Sequence, residues 1–433
     1  MKTRNLFKGI LIGAAALLSA CTVQEDNIGD ITINEGNTGE TSGTITLEGK
    51  ITESRTLISS EVYELKGGVS VVDGVTLTIE AGTRIVAGNT GGVFAYLAIE
   101  QGAKIIAEGT AAQPIVFTSN KSTPNPGDWG GLLLAGKAPI NRGVTATTEV
   151  ANLTYGGTDA TDSSGVLRYV RLEYTGGKIN ADAEYNGLSL YGVGNGTTLE
   201  YIQAFNGNDD GIEFFGGTVN LKYAIVSGAG DDSFDWTDGW IGNGQFWIAQ
   251  QTTTAGDRGI EADNLKSNNA AAPFSNPTLS NITLIGAEDG DGKNKGILFR
   301  RGTKVSIYNM IIKGFAKGIE LNDDQTFTNL NNNELTIRNS IIDNANSFDV
   351  SDGTATVDLS DFASFNNYSL DPSGTAIPTG FEITGFRGTY EYTTAADGVD
   401  NFDPSTLGAF FDAANYAGAL QESDTWTSDW TRQ

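Results

Sequence analysis

The sequence predicts an all-β solenoid, a parallel β-helix built from short stacked coils. Three observations carry this. Asp209-Asp210-Gly211-Ile212-Glu213-Phe214 returns 22 positions later as Asp231-Asp232-Ser233-Phe234-Asp235-Trp236, and carboxylates recurring at one phase of such a period mark stacked coils. The chain has 56 Gly but only 9 Pro, with abundant Asn, Thr and Asp, which suits many short strands joined by tight turns. Apolar runs at helical period are almost absent after residue 20. A leucine-rich repeat would need a Leu-x-x-Leu-x-Leu frame and a propeller a period of about 40 or more, and neither is present. A solenoid grows along one axis, so 433 residues need not split into globular domains.

The chain opens with a basic stretch carrying Lys2, Arg4 and Lys8, followed by the apolar run Gly9–Ala20. That run is too short to span a bilayer and fits the apolar core of a signal peptide, residues 1–20. Leu18-Ser19-Ala20-Cys21 resembles the bacterial lipobox, and the chain's single Cys occupies its Cys position. The resemblance implies cleavage before Cys21 and its lipidation, an attachment that is durable without a transmembrane helix when several acyl chains insert. Residues 21–44 are polar and acidic, have little apolar surface to bury, and read as a flexible tether. Acidic residues just after the lipidated Cys, here Glu25 and Asp26, resemble the export signal of Bacteroidota-type surface lipoproteins. That implies an outer-membrane lipoprotein facing the exterior.

Residues 45–68 are expected to cap the solenoid's N-terminal end, because an open coil exposes unpaired backbone and apolar core. The regular body runs over residues 69–345. Leu77–Ala87 (LTIEAGTRIVA) is followed 20 positions later by Leu97–Ala107 (LAIEQGAKIIA), each a strand, a Gly turn and a strand. From Gly187 a second register follows the form small, apolar, outward, apolar. Its copies are Gly187–Leu190, Gly211–Phe214, Ser233–Trp236, Gly259–Ala262, Gly296–Phe299 and Gly318–Leu321. The one long step, from Gly259 to Gly296, includes Asn268–Pro277, which reads as a loop inserted into a coil.

A companion strand lies between the copies and places Tyr at 169, 201 and 223, then Asn at 281, 309 and 339. Stacked Tyr would form an aromatic column, and stacked Asn a hydrogen-bonded ladder along the axis. After about Ala345 the period fades. The aromatic tail, with Phe410, Phe411, Trp426 and Trp430, makes residues 346–433 a C-terminal cap or a small appended module.

With these coils in view, residues 65–345 resemble right-handed parallel β-helices of the pectin-lyase-like kind. Thr76–Ala107, Gly127-Asp128-Trp129-Gly130-Gly131 and the Asp-Asp-Gly-Ile-Glu-Phe-Phe-Gly-Gly-Thr-Val phrase at 209–219 also resemble a group of Bacteroidota surface lipoproteins.

The formal charge is -26, and loss of Lys2, Arg4 and Lys8 with the signal peptide would leave -29. Such a surface repels nucleic acid and anionic lipid and favours cations or neutral partners. With no His, Ser-His-Asp and Cys-His catalysis and His-ligated metal sites are excluded. Neighbouring coils lie about 4.8 Å apart, so Glu213 should neighbour Asp235, Asp209 should neighbour Asp231, and Asp210 should neighbour Asp232. Two like charges about 5 Å apart repel by roughly 3 kcal/mol at an effective dielectric of 20, but by under about 1 kcal/mol in water. A recessed column therefore calls for a cation or a shared proton, and a solvated one calls for nothing. Asp209, Asp210, Asp231, Asp232, Asp235 and Asp238 together offer the oxygens that calcium takes. The competing reading is solvated turns, in which Asp bonds its own backbone. Asp289-Gly290-Asp291-Gly292 is only superficially like an EF-hand opening, since Lys293 stands where an oxygen ligand is required.

Two functions compete. Pectate lyases, on the resembled fold, use carboxylate-bound calcium and an Arg base, which would make Arg258, Arg300 and Arg301 the candidate bases. Polygalacturonases pair two Asp, as at Asp231-Asp232, with a His that this chain lacks. The acids nevertheless recur over several coils instead of forming one site, which favours a non-catalytic protein binding glycan, protein or ion along its flank. Glu213, Glu261, Trp240 and Trp247 are the candidate ligand contacts, the tryptophans as platforms for sugar rings, whereas Trp236 falls at an inward phase.

Overall fold

The computed structural model describes residues 43–180, 183–252, 256–287, 294–343, 348–352, 368–370, 402–421 and 423–432. The signal-peptide and lipidation expectations, most of the tether and the Asp289–Lys293 segment lie outside them. So does most of 346–401.

Strands pair in parallel with the strand one coil away, forming three ladders. Ladder 1 runs through Tyr96–Ile99, Leu132–Ala135, Leu188–Tyr191, Ile212–Phe215, Phe234–Thr237, Arg258–Ala262, Lys295–Phe299 and Lys317–Asn322. Its register stacks Leu188, Ile212, Phe234, Ile260, Ile297 and Ile319, so all six copies of the second register lie in line. The small residue that opens each copy has a packing reason. A Cβ on Gly211 would sit 2.3 Å from Val226 Cγ1 and 2.6 Å from the Ser233 carbonyl. Period-2 alternation then sends Ile212, Phe214, Phe234 and Trp236 inward, where all are fully buried, and Glu213, Asp235 and Glu261 to the outer face.

Ladders 2 and 3 share long strands that bend midway. Gly165–Glu173, Thr198–Phe205, Leu221–Ser227, Asn243–Gln250, Thr278–Ile285 and Val305–Lys313 each turn the corner at one left-handed residue. These corner residues are Tyr169, Tyr201, Tyr223, Phe246, Asn281 and Asn309, with φ between 50° and 60°. Such a φ is costly for an aromatic residue, and ring stacking offsets it. Centroids along the column are 4.2 Å (Tyr169–Tyr201), 4.4 Å (Tyr201–Tyr223) and 4.9 Å (Tyr223–Phe246) apart. Phe246 thus continues a column that the Tyr-to-Asn pattern did not include. The Asn ladder is not what forms. Asn281 accepts one bond from Gln245 of the adjacent coil, but its amide donates to the carbonyls of Ala414 and Tyr416. Asn309 donates to the carbonyls of Phe402 and Ala414.

Those bonds hold the C-terminal segment, residues 402–432, against the corner column. Along it, Gln245 exchanges bonds with the Asp412 backbone, Trp430 packs edge-on to Tyr169 and Tyr201, and Gln203 exchanges bonds with Arg432. Arg432 also pairs with buried Glu173 at 2.7 Å. The described part of the tail is therefore a strap along the flank, running back from the coil of Asn309 towards that of Glu173.

One more expectation changes. The 20-residue repeat is not two stacked coils: Leu77 pairs with Ile105, whereas Leu97 pairs with Val69 and Leu132. The same phrase bends at two different corners of the helix. Residues 45–68 make the same parallel pairings as the coils that follow, Ile45 against Tyr63 and Leu47 against Leu65. The one α-helix among the described residues, Asp324–Asn331, buries Phe327 and Leu330 under the last coils. No helix among the described residues is long and apolar enough to cross a membrane.

Candidate functional site: an acidic cavity on ladder 1

Three antiparallel excursions leave the coils beside the outer face of ladder 1. They pair Asn89–Thr90 with Val93–Phe94, Ala146–Thr147 with Thr154–Tyr155, and Lys178–Asn180 with Ala183–Glu184. A second apolar cluster, including Leu133, Ile140, Tyr155, Tyr185, Tyr191 and Phe215, fixes them to the coils. Asp238 pins the middle excursion. It is fully buried, accepts from Arg142 Nε at 2.6 and 2.7 Å, and accepts from the Tyr155 hydroxyl at 2.7 Å.

The excursions turn part of the ladder's outer face into a cavity of about 370 Å³. Nine carboxylates line it: Glu149 and Glu184 from the excursions, and Asp209, Asp210, Glu213, Asp231, Asp232, Asp235 and Glu261 from the coils. The cationic groups in the lining are Arg258 and Arg300, and Lys178 pairs with Glu184, so full ionisation sets nine carboxylates against three cations, an excess of six negative charges. Asp210, Glu213 and Asp232 are therefore buried in the recess and Asp209 and Asp235 half-buried, whereas the Asp231 side chain is half exposed.

The guanidinium groups do not satisfy the acids. Arg258 Nη1 is shared among Asp257 at 2.8 Å, Glu261 at 3.1 Å, Asp232 at 3.3 Å and Asp231 at 3.7 Å. Arg300 contacts Glu261 but also turns Nε to Asp263 at 2.7 Å, a residue that Arg301 engages as well. Asn186 donates to Glu213, and the Asp232 amide donates to Asp210. Asp235 Oδ1 is buried and accepts no hydrogen bond, whereas Glu261 Oε1 is met by Arg258 Nη1 at 3.1 Å. A buried acceptor without a donor carries its full desolvation cost.

The titration behaviour follows from this crowding. Burial, then the charges of Asp231, Glu149 and Asp232, pushes Asp209 up to about 7. Burial, then Asp231, pushes Asp232 up to about 8 despite Arg258. Burial followed by neighbouring carboxylates raises Asp210, Glu213 and Asp235 well above the usual range. Asp231 is raised by burial, with Arg258 opposing. Arg300 is lowered to about 10 by burial and then by Arg301.

Three sets of carboxylates bring one oxygen from each member within 4.8 Å of the others: Asp209/Asp210/Asp231, Asp210/Glu213/Asp235 and Asp232/Asp235/Glu261. Hard oxygen donors at this spacing are what calcium takes, and they do not suit softer metals. The coils thus bring together Asp209, Asp210, Asp231, Asp232, Asp235, Glu213 and Glu261 from the sequence-derived candidates. Asp238 is not among them, because Arg142 and Tyr155 already occupy its oxygens. Trp240 and Trp247 are not sugar platforms. Both are fully buried, stacked against Phe214 and Phe234, with their indole N–H groups on the carbonyls of Val219 and Leu221. Glu149 and Glu184 escaped sequence reading because they sit in excursions outside the repeat, where no periodicity marks them; Asn186 stands directly before Gly187 at the phase of Asp210 and Asp232, so that phase could have marked it.

No curated protein and no solved structure gives a significant match to this chain. Residues 49–431, which take in the coils, the excursions and nearly all of the strap, match the pectate-lyase like beta helix domain, and the chain belongs to that family.

Proposed function

We propose that this chain is a lipid-anchored outer-membrane protein, exposed on the cell surface, whose β-helix binds a divalent cation, calcium by its donor chemistry, in the acidic cavity on ladder 1. It acts in binding or display, not in catalysis. The observation that carries the reading is the set of overlapping carboxylate triads in one recess, with Asp235 Oδ1 lacking a donor. Burial in low dielectric makes that repulsion expensive, and a dication relieves it directly. The anchor rests on Cys21 and the segment before it, and outward display on the acidic residues after it. A polysaccharide or a surface-protein ligand remains the partner class for the flank. The cavity lining contains no aromatic residue, so sugar stacking there is not what binds.

Calcium titration of chelator-treated protein, by calorimetry and thermal unfolding, tests this. Binding with a raised Tm is expected, weakened at least tenfold in Asp210→Asn/Asp235→Asn. No heat and no Tm shift at millimolar calcium would sink the metal reading. A second reading, a calcium-dependent polysaccharide lyase, draws on Arg300, a guanidinium in the cavity lining held down to about 10, which is the group to accept a proton from a uronate. Unsaturated product from a polyuronate panel would establish it, and its absence from calcium-loaded protein leaves the binding role.

A further inference from the structure

We propose that the tyrosine column is a site of oxidative cross-linking, where hydrogen peroxide acting with a haem peroxidase joins Tyr201 to Tyr169 or Tyr223 by a carbon–carbon bond between successive coils. The reaction needs no ion in the acidic cavity. The strands on either side of the corner hold the three rings in line. Before it, Arg168 pairs with Glu200 and Glu200 with Lys222; after it, Val170 pairs with Ile202 and Ile202 with Ala224. The rings therefore repeat by translation along the ladder, 4.2 Å apart and 8° from parallel for Tyr169–Tyr201, 4.4 Å and 6° for Tyr201–Tyr223. Translation separates every atom from its counterpart by the same amount as the centroids. Each carbon ortho to a hydroxyl thus faces its equivalent at about 4.2 to 4.4 Å across the π faces.

That approach is the one radical coupling requires. Loss of one electron and the hydroxyl proton leaves a phenoxyl radical whose unpaired spin lies partly on the ortho carbons. Two such radicals pair their electrons through facing π lobes and form one C–C bond. Each joined carbon then passes its hydrogen, as a proton, to its ring oxygen, which restores both phenols. The pair loses two electrons and two protons in all, and one hydrogen peroxide takes them up to give two waters. A carboxylate is in place for the first proton, because the Tyr223 hydroxyl donates to Asp412 Oδ2 at 3.2 Å. Burial, followed by the Tyr169 phenol, pushes Tyr201 up to about 12, so it enters the reaction protonated. All three tyrosines are half-buried, so solvent reaches each of them. Other close tyrosine pairs among the described residues lack this approach. Tyr155 and Tyr191 meet at 61° with centroids 5.2 Å apart, and Tyr96 and Tyr185 at 27° and 5.4 Å. Phe246 stacks on Tyr223 but has no hydroxyl, so the reactive column ends there. A bond at Tyr201 would staple adjacent coils and restrict the unfolded chain, as a disulfide does.

Treating the full chain with hydrogen peroxide and a haem peroxidase, then mapping cross-links by dityrosine fluorescence and peptide mass spectrometry, tests this. Expected is a monomer-sized product with Tyr201 joined to Tyr169 or Tyr223, the joined peptides together lighter by two hydrogens. Tyr201→Phe keeps a ring in the stack, as Phe246 does, but leaves Tyr169 and Tyr223 two steps apart. It should lower the dityrosine yield about tenfold with the circular dichroism unchanged. No dityrosine, a link only between chains, a link mapped only to Tyr96–Tyr185 or Tyr155–Tyr191, or an undiminished yield in Tyr201→Phe would each overturn the inference. The map in the unaltered protein decides the matter even if the variant fails to fold.

Discussion

Without divalent cation, this protein should become more stable as the pH falls from 8 to 5, the reverse of ordinary acid denaturation. Asp232 is 2% exposed, and its carboxyl titrates near 8 in the fold against 3.8 ordinarily. A group raised in the folded state contributes stability that is complete below its unfolded value and lost as pH rises through its folded value. The window therefore runs from about 4 to about 8, with Asp209 and Asp263, both near 7, acting in the same direction. The three units between pH 8 and pH 5, at 1.36 kcal/mol each, put the gain at about 4 kcal/mol for Asp232 alone. The neighbours share the same repulsions, so that figure serves for the group. At roughly 1 to 2 °C per kcal/mol for a chain of this size, the unfolding midpoint should rise by about 4 to 8 °C. The groups facing Asp232 that set the effect are Asp231, Asp257, Asp210, Asp235 and Arg258.

The assay has little background. The chain has no His to titrate in this range. Asp128, lowered by its hydrogen bonds from Lys121, Ser119 and the Asn125 amide against the opposing effect of burial, loses its contribution only below the ordinary range. Calorimetric scans in chelator at pH 8, 7, 6 and 5 would follow the trend. Saturating calcium at pH 8 should recover most of the stability gained by acidification. Asp209→Asn should raise the pH 8 midpoint and shallow the slope. A midpoint that is flat or falls from pH 8 to 5 in chelator would refute the account of the cavity as a store of electrostatic strain.

The remaining predictions concern the two ends of the chain. Trp430→Ala empties a fully buried site against Tyr169 and Tyr201 at a cost of about 3 to 5 kcal/mol. Hydrogen exchange should then show residues 402–432 exchanging faster while ladder 1 stays protected. Equal loosening of both would mean that the strap and the coils unfold as one unit. For the anchor, Cys21→Ser should move the protein from the membrane fraction to the soluble fraction. Retention in the membrane would remove Cys21 as the attachment point.

How much of this was legible in the sequence follows from what repeats. The ladder 1 register could be read directly, because period-2 alternation and the coil step fix which residues share a face, and Ile212 over Phe234 over Ile260 is set by local spacing. The adjacency of Asp209–Asp210 to Asp231–Asp232 follows from that spacing alone. The repeat at Leu77 and Leu97 misled because one strand–turn–strand phrase fits two corners, and only the pairings of the first coils show which. Tertiary structure decided the rest. Recession of the acids depends on Glu149 and Glu184, whose excursions obey no period, and on Arg142, which pins one of them through Asp238, 96 positions away. The same distant pairing withdrew Asp238 from the acidic row. Trp240 lies outside the alternating frame and Trp247 on the inner face of its bent strand, so their burial became clear only once the coils were closed around them. Local periodicity fixed the column of acids; long-range packing made it a cavity, because desolvation depends on what lies across the space from a side chain and not on its neighbours in the chain.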